Sequence, residues 1–205
     1  QDLESMFQKA KATALSGRLQ EAIAMYRAVV RASPGHVRAR NNLGVLLDQT
    51  GAHAAALEHF YAAVGLEPDN SELLGNFGAA LASSGQYDEA EVQLRKAARL
   101  DPGGPDVRAN LGILYFRRGL YAQCEEELRW VCEHDRDHAL AHFYRGEALN
   151  RLGRVEEALV TLERAAHLQP GKARIYYLLG ILYDRKNLPR EAGAMYRRAR
   201  ELTDP

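Results

Sequence analysis

Apolar residues recur along the chain at the three- and four-residue spacing of an amphipathic helix. Leu43, Leu46 and Leu47 follow this spacing in one segment, and Leu159 and Leu162 follow it in another. Residues three and four apart lie on one face of a helix, so each segment is predicted to be a helix with one buried side.

The helical pattern repeats with a period of 34 residues. Prolines stand at this interval at Pro34, Pro68, Pro102 and Pro170, and Arg136 occupies the remaining place. A fixed period of this length is typical of a repeat protein, in which each unit is one supersecondary motif. The chain is therefore predicted to contain six units without insertions: 3–36, 37–70, 71–104, 105–138, 139–172 and 173–205.

Small residues recur at fixed places in the units and predict that each unit is a helical hairpin. Position 8 holds Gly44, Gly78, Gly112, Gly146 and Gly180, and position 20 holds Ala22, Ala56, Ala90, Cys124, Ala158 and Ala192. We expect such a pair, for example Gly44 and Ala56, to let the two helices approach closely. Residues suited to the left-handed conformation are expected to end the first helices: Gly17, Gly51, Gly85, Gly119, Gly153 and Asn187. The prolines are expected to stop the second helices.

This arrangement resembles the tetratricopeptide repeat (TPR) family, whose 34-residue units keep small residues at positions 8 and 20 and proline at 32. The family's large residue at position 24 is matched by Tyr26, Phe60, Leu94, Leu128, Leu162 and Tyr196. The first unit departs from the pattern at Lys9 and Ala10. The resemblance implies an all-α, right-handed superhelical solenoid of six helix-turn-helix repeats, in a single array over residues 1–205. The RNA-reading pentatricopeptide repeat, normally 35 residues long, fits this spacing less well.

The last unit ends without the additional helix that commonly shields such arrays. Leu188, Met195, Ala199 and Leu202 are therefore expected to be exposed. Two interpretations stay open: the chain is part of something larger, or its ends contact another molecule, including a second copy of itself.

The resemblance also predicts a binding groove. In the family, positions 2, 5, 6, 9, 12 and 13 of the first helices face the concave side, and position 6 here reads Asn42, Asn76 and Asn110 in three successive units. A primary amide carries a donor and an acceptor, as a peptide group does, so these asparagines are predicted to pair with the backbone of a bound chain. Replacing all three with Ala is then expected to weaken binding and to leave thermal stability nearly intact. The alternative is that each Asn bonds to a neighbouring helix and stiffens the array.

Aromatic residues occupy groove positions toward the C-terminus: Phe116, Phe143, Tyr144 and Tyr177. They are predicted to hold apolar or aromatic anchors of a ligand, and the alternative is that some of them fill gaps between repeats. Position 13 of three successive units holds Arg117, Arg151 and Arg185. This basic strip is predicted to pair with carboxylates or phosphates of a partner, unless it is a solvated helix end that complements the helix dipole.

Composition narrows the possible partners. Lys+Arg and Asp+Glu are both 27, so a net charge of +0 gives no reason to expect nucleic acid or an anionic membrane as a partner. No apolar run approaches the length of a membrane span, so a soluble protein is expected, cytoplasmic or periplasmic if the source is bacterial, as the Ala- and Arg-rich composition suggests. Cys124 and Cys132 lie too far apart along one helix for a disulfide and are predicted to be free thiols.

No catalytic motif is present, and neither an enzymatic activity nor a cofactor is expected. Cys132, His134, Asp135, His138 and His142 cluster in sequence, but their spacing matches no zinc pattern, so structural roles are expected. Trp130, at a usually polar outer position, indicates either an outer contact or packing under Arg129 or Glu126.

The predicted function is a protein-interaction module or scaffold that binds an extended or helical segment of a partner in the groove. The alternatives are the substrate-recognition region of a larger enzyme, such as a peptide glycosyltransferase, and a self-assembling scaffold. The family's chaperone-tail clamp is not expected, because its first two positions read Phe7 and Lys11 here.

Overall fold

The computed structural model describes residues 2–203, which form twelve α-helices in six consecutive pairs and no strands. In chain order the helices are α1 (Leu3–Leu15), α2 (Leu19–Ala32), α3 (Val37–Gln49), α4 (His53–Leu66), α5 (Ser71–Ser83), α6 (Tyr87–Leu100), α7 (Pro105–Arg117), α8 (Tyr121–His134), α9 (Ala139–Arg151), α10 (Val155–Leu168), α11 (Ala173–Arg185) and α12 (Pro189–Glu201). The all-α fold of six helix-turn-helix repeats is confirmed, and each first helix begins at the first residue of a predicted unit.

The turns inside the hairpins use the left-handed backbone conformation. Gly51 has φ +82° between α3 and α4, and the other four predicted glycines have φ between 76° and 79°. Asn187 is the single residue other than glycine with positive φ in the described chain, at φ 57°. Asparagine tolerates this conformation better than most side chains, so the turn before α12 forms without glycine. All six predicted turn residues are confirmed.

The second helices end just before the prolines, as predicted. Ala32, Leu66, Leu100 and Leu168 are the last residues of α2, α4, α6 and α10, and each lies two residues before a proline. A proline disfavours helical backbone at the residue before it, so the helix must end there. The eighth helix ends at His134, the equivalent place, although Arg136 replaces the proline.

The glycines at position 8 make room for the large residue at position 24. A Cβ on Gly44 would lie 2.8 Å from Cζ of Phe60, and a Cβ on Gly78 would lie 2.5 Å from Cγ of Leu94. The same Cβ on Gly78 would lie 3.2 Å from the backbone oxygen of Ala90, at position 20, so the two helices also approach closely there. The expected close approach of Gly44 and Ala56 stays a prediction. The second helix presses its position-24 side chain directly onto the backbone of the first helix.

The chain divides into two compact units, Gln1–Val107 and Arg108–Pro205. The N-terminal unit buries large side chains that include Phe7, Tyr26, Phe60 and Phe77. The C-terminal unit has a core in which Leu149 and Leu162 pack with Ile175, Leu179 and Leu182 of α11. That residues 1–205 form a single array stays a prediction.

The exposure expected for the last hairpin is only partly observed. Leu188 is exposed, and Met195 and Leu202 are half-buried. Ala199 is buried, contrary to the expectation, because its short side chain lies on the side of α12 that faces α11.

Candidate peptide-binding surfaces

In the N-terminal unit, the amide of Asn42 bonds to a residue of a neighbouring helix. Its Nδ2 donates to the hydroxyl of Tyr26 on α2 across 3.0 Å. Burial raises the pKa of Tyr26, and the hydrogen bond from Asn42 only partly offsets that effect. The phenol therefore stays neutral and accepts this bond at all ordinary pH values.

Asn76 also has an intramolecular partner. Its Nδ2 donates to Oδ1 of Asn41 across 3.0 Å, and Nδ2 of Asn41 makes a longer contact of 3.5 Å with Oε1 of Glu72. Asn41 is only 7% exposed, so the described part of the chain satisfies its side chain internally. These bonds are of the kind that the stiffening alternative requires, and each of them uses one of the two N–H groups on the amide nitrogen of Asn42 or Asn76.

Asn42 and Asn76 line a cavity of about 300 Å³ in this unit, together with Lys11, Asn41 and Glu72. Asn42 also lines a second cavity of about 470 Å³, to which Phe7, Arg38 and Glu67 contribute. Both cavities carry basic and acidic side chains, so neither selects a ligand by net charge. Asn110 lies half-buried on α7 and belongs to the other unit.

The predicted aromatic residues of the C-terminal unit divide into a packed group and an exposed residue. The ring of Tyr144 lies 5.3 Å from that of Phe116 and 5.1 Å from that of Phe143. Phe143 is 3% exposed and belongs to the core, where Nζ of Lys172 lies 3.8 Å from the centre of its ring. Phe143 therefore fills a gap between repeats, as the alternative interpretation held. Tyr177 is 54% exposed.

Three of the predicted residues come together in one cavity of the C-terminal unit. Arg151, Tyr177 and Arg185 line a space of about 650 Å³, and Arg174 and Glu147 line it with them. Arg117, by contrast, is exposed near the end of α7 and does not line this cavity. The structure thus brings together two of the three arginines of the basic strip.

Hydrogen bonds fix the orientation of two arginines in this cavity. Arg174 donates from Nε and Nη2 to the two carboxylate oxygens of Glu147, across 2.9 Å and 3.0 Å. Glu147 is 3% exposed, whereas the guanidinium faces solvent, so the buried carboxylate holds a largely exposed cation in place. Nη1 of Arg185 donates to Oδ1 of Asn150 across 2.6 Å.

The charge of this cavity favours anions. Three arginines and one glutamate line it, and the glutamate is fully engaged with one of the arginines. An exposed phenol ring and the apolar residues Leu178 and Ile181 complete the lining. The arrangement can pair with carboxylates or phosphates and can accept an apolar side chain next to them.

A protein-family model matches residues 2–204, and it describes the cilia and flagella-associated protein 70 C-terminal domain. The chain belongs to this TPR family. No curated protein is significantly similar to the chain in sequence. TPR arrays generally serve as protein-interaction scaffolds, and this coarse role follows for the chain from its family.

Solved structures show the same fold as this member of the cilia and flagella-associated protein 70 C-terminal domain family. pilF of Pseudomonas aeruginosa is 20% identical, with a TM-score of 0.81 over 98% of this chain and 91% of that one. A TPR protein from Parabacteroides merdae is 18% identical, with a TM-score of 0.77 over 98% and 78%. MamA is 22% identical, with a TM-score of 0.67 over 79% and 95%. At these identities the likeness shows the fold alone.

The sequence prediction missed Arg174 as a site residue of this family member, although its position is informative. Arg174 stands at position 2 of the sixth unit, and Glu147 stands at position 9 of the fifth, both on the predicted groove stripe. The repeat positions of these two residues therefore already indicated that they line the groove. Asn41, at position 5 of the second unit, was missed in the same way.

The two cysteines and the His and Asp residues near them were the remaining candidates for chemistry. Cys124 and Cys132 are free thiols, as predicted, and both are buried. Burial raises the pKa of Cys124 to about 12 and that of Cys132 to about 11, so neither is a ready nucleophile. Among residues 2–203 no three His, Cys, Asp or Glu side chains are grouped as metal ligands would be.

Trp130 is half-buried and contacts two side chains. His134 stacks on its indole with 3.8 Å between ring centres, and the guanidinium of Arg108 lies 4.2 Å from the ring centre. These two contacts were not predicted, and cover by Arg129 or Glu126 stays a prediction. In the part of the chain that the structure describes, no helix is both long and apolar enough to cross a membrane.

Proposed function

We propose that the chain binds an extended segment of a partner protein through the groove positions of its repeats. The cavity around Arg151, Tyr177 and Arg185 is the main contact in this proposal. Its support is one observation: every residue that lines this cavity stands at position 2, 5, 6, 9, 12 or 13 of its unit. A stripe assigned from the repeat register thus coincides with a continuous concavity large enough for side chains of a peptide.

The ligand is an acidic segment with an apolar or aromatic anchor. Arg151 and Arg185 supply the attraction for carboxylates, and Arg174 is pre-oriented by Glu147, so little conformational entropy is lost when it contacts an anion. Tyr177 supplies a large exposed ring for the anchor. The polar cavities around Asn42 would contact the backbone through the amide oxygens and the second N–H groups, because one N–H of Asn42 and one of Asn76 are engaged within the protein.

The protein acts by binding and not by catalysis in this proposal. The family is named for a cilia and flagella-associated protein, so a component of such an assembly is a natural source of the peptide. The alternative function, substrate recognition in a peptide glycosyltransferase, was predicted from asparagines that face a ligand with both the donor and the acceptor of the amide. No observation adds to that support.

Selection from a random peptide library tests the proposal and does not require the partner to be identified first. Peptides of about 12 residues would be selected on the unmodified chain, and the affinity of the enriched peptides would then be measured for the unmodified chain and for the Arg151→Glu/Arg185→Glu variant. We expect enrichment of sequences that combine Asp or Glu with an aromatic or aliphatic residue. Enrichment of peptides that bind both proteins equally, or of basic peptides, would contradict the assignment.

A further inference from the structure

Ser33 stands at a place where three other repeat units carry a carboxylate. It is at position 31 of its unit, and the equivalent residues are Glu67, Asp101 and Asp135, with Gln169 in the fifth unit. Each of these residues follows the end of a second helix with φ between −128° and −140°, and its N–H donates to the carbonyl four residues earlier. The places therefore share one backbone geometry and differ in their side chains.

Two of these carboxylates hold the loop that leads into the next helix. Oδ1 of Asp135 accepts a hydrogen bond from the backbone N–H of Asp137 across 3.1 Å. Oε2 of Glu67 accepts one from Nδ2 of Asn70 across 2.8 Å, and Oδ1 of Asn70 accepts from the backbone N–H of Leu73 in the first turn of α5. An acidic group at position 31 thus stabilises the connection between consecutive hairpins.

The hydroxyl of Ser33 makes no such bond. It has no hydrogen-bond partner within residues 2–203. Other hydroxyl groups at helix ends do have partners, because those of Ser16, Thr50 and Ser84 donate to backbone oxygens of the helix before them. The Ser33 hydroxyl is therefore available for modification without the loss of an existing bond.

The loop that Ser33 begins, residues 33–36, has the same form as the loop at 135–138. His36 and His138 cap α3 and α9 in the same way, since Nδ1 of each accepts from a backbone N–H across 3.2 Å. In both loops the two middle residues are exposed and the outer two are half-buried. Hairpins precede and follow the loop at 135–138, so this exposure is a property of the repeat.

Ser33 is the one serine or threonine in the sequence that precedes a proline. Its backbone is extended, with φ −140° and ψ 90°, and Ala32, Pro34 and Gly35 are exposed around it. A serine in an extended, accessible segment with proline as the next residue is what proline-directed kinases recognise. Pro68 ends its helix without a serine before it, so the fold does not require Ser33.

Two arginines lie close enough in the chain to receive a new negative charge. Arg31 is exposed two residues before Ser33, and Nε of Arg40 donates to the backbone oxygen of Pro34 across 2.6 Å. Neither arginine forms an ion pair within residues 2–203. A phosphate with a charge of about −1.5 to −2 at this loop therefore meets guanidinium groups that no carboxylate neutralises.

We propose that Ser33 is phosphorylated by a proline-directed kinase and that the phosphoserine then takes the role of the position-31 carboxylate. The kinase transfers the terminal phosphoryl group of ATP: a bond forms between Oγ and this phosphorus, the bond from the phosphorus to the oxygen that leaves with ADP breaks, and the hydroxyl proton passes to the catalytic Asp of the kinase. The phosphate accepts from the N–H of Gly35, as Asp135 accepts from that of Asp137, and pairs with the two arginines. The modification strengthens the connection between α2 and α3 and is independent of the peptide contact proposed above.

Incubation of the folded chain with Mg²⁺, ATP and a mitogen-activated protein kinase tests the assignment. We expect mass spectrometry of proteolytic fragments to place a phosphoryl group on Ser33, and the variants Ser33→Ala and Pro34→Ala to lack it. A synthetic peptide of residues 27–39 serves as the control for kinase activity. Phosphorylation of the peptide without phosphorylation of Ser33 in the folded chain would overturn the proposal, because the loop would then be inaccessible.

The stability of the phosphorylated chain tests the role given to the phosphate. The midpoint of urea denaturation should rise on phosphorylation, and the rise should shrink in about 1 M salt, which screens exposed charges. It should also be smaller in Arg31→Gln/Arg40→Gln and unchanged in Arg190→Gln, at an exposed residue of α12. Each comparison is between two forms of one protein, so the effect of a substitution on the unphosphorylated fold cancels. An unchanged or lower midpoint on phosphorylation would overturn this role.

Discussion

The amide nitrogen of Asn42 donates to the hydroxyl of Tyr26 across 3.0 Å and thereby joins α3 to α2. The recurrence of asparagine at position 6 suggested a ladder of free amides facing a ligand. The bond shows that one half of this amide already serves the fold. Its Oδ1 has no hydrogen-bond partner within residues 2–203, so the acceptor remains for a ligand.

Removing this bond should cost stability. Asn42→Ala leaves the buried Tyr26 hydroxyl without its donor, and we expect the free energy of unfolding to fall by about 1 kcal/mol. Tyr26→Phe should cost a similar amount, and a double-mutant cycle in urea should give a coupling of about 0.5–1.5 kcal/mol. Gln8→Ala is the control, because Gln8 has the same repeat position but bonds only to exposed Glu4. Additive single effects would show that the bond contributes nothing.

Substitution of a position-8 glycine tests the packing between paired helices. The Cβ in Gly78→Ala would lie 2.5 Å from Cγ of Leu94 and 3.2 Å from the backbone oxygen of Ala90, so the helices must separate. We expect a loss of about 1–3 kcal/mol in the free energy of unfolding. Gly65→Ala is the matched control: Gly65 lies in α4 with nothing within 4 Å, and Ala is the better helix former there, so stability should not fall. Equal effects of the two substitutions would refute the packing argument.

The repeat register predicted most of the fold because its signals are local. Whether Asn187 can adopt positive φ, or whether Pro170 stops a helix, depends on the residue and its immediate neighbours. The close contact of Gly44 with Phe60 was not predicted, for the opposite reason. Both Ala56 and Phe60 lie on the inner face of α4, and only the packed geometry shows that the ring of Phe60 lies directly against the glycine.

His142 should make the stability of the chain depend on pH. Its Nε2 bonds to the backbone oxygen of Arg136 across 3.0 Å, and its Nδ1 is buried without a hydrogen-bond partner in the described structure. Burial lowers the pKa of His142 below 6.5, the nearby Arg164, Arg145 and His138 lower it further, and the Arg136 oxygen raises it in part.

The folded state binds a proton at His142 less readily than the unfolded state does. The contribution of neutral His142 to the free energy of unfolding is therefore present above pH 6.5 and decreases as the pH falls. His142→Gln, whose Nε2 can still donate to the Arg136 oxygen, should therefore lose less stability than the unmodified chain between about pH 7.5 and pH 5. His167→Gln, at an exposed residue of α10, is the control. Urea denaturation at both pH values measures the difference, and parallel losses in all three proteins would contradict the prediction.

The candidate site was predictable in position but not in detail. Position 13 placed Arg151 and Arg185 on one stripe, and the structure puts both in one cavity. That Phe143 lies in the core while Tyr177 is exposed could not be read from two equivalent positions, because the difference depends on the packing of α11. The pairing of Arg174 with Glu147 joins two repeats, and its geometry is likewise a property of the packed array.

The central claim is that the cavity around Arg151, Tyr177 and Arg185 binds a peptide. The most direct measurement is the affinity of an acidic peptide, selected on the unmodified chain, for the Arg151→Glu/Arg185→Glu variant and for Arg190→Glu, whose exposed arginine lies outside this cavity. We predict that the first variant binds at least about tenfold more weakly at an unchanged melting temperature, and that the second binds as the unmodified chain does. Equal affinity of all three proteins would contradict the account.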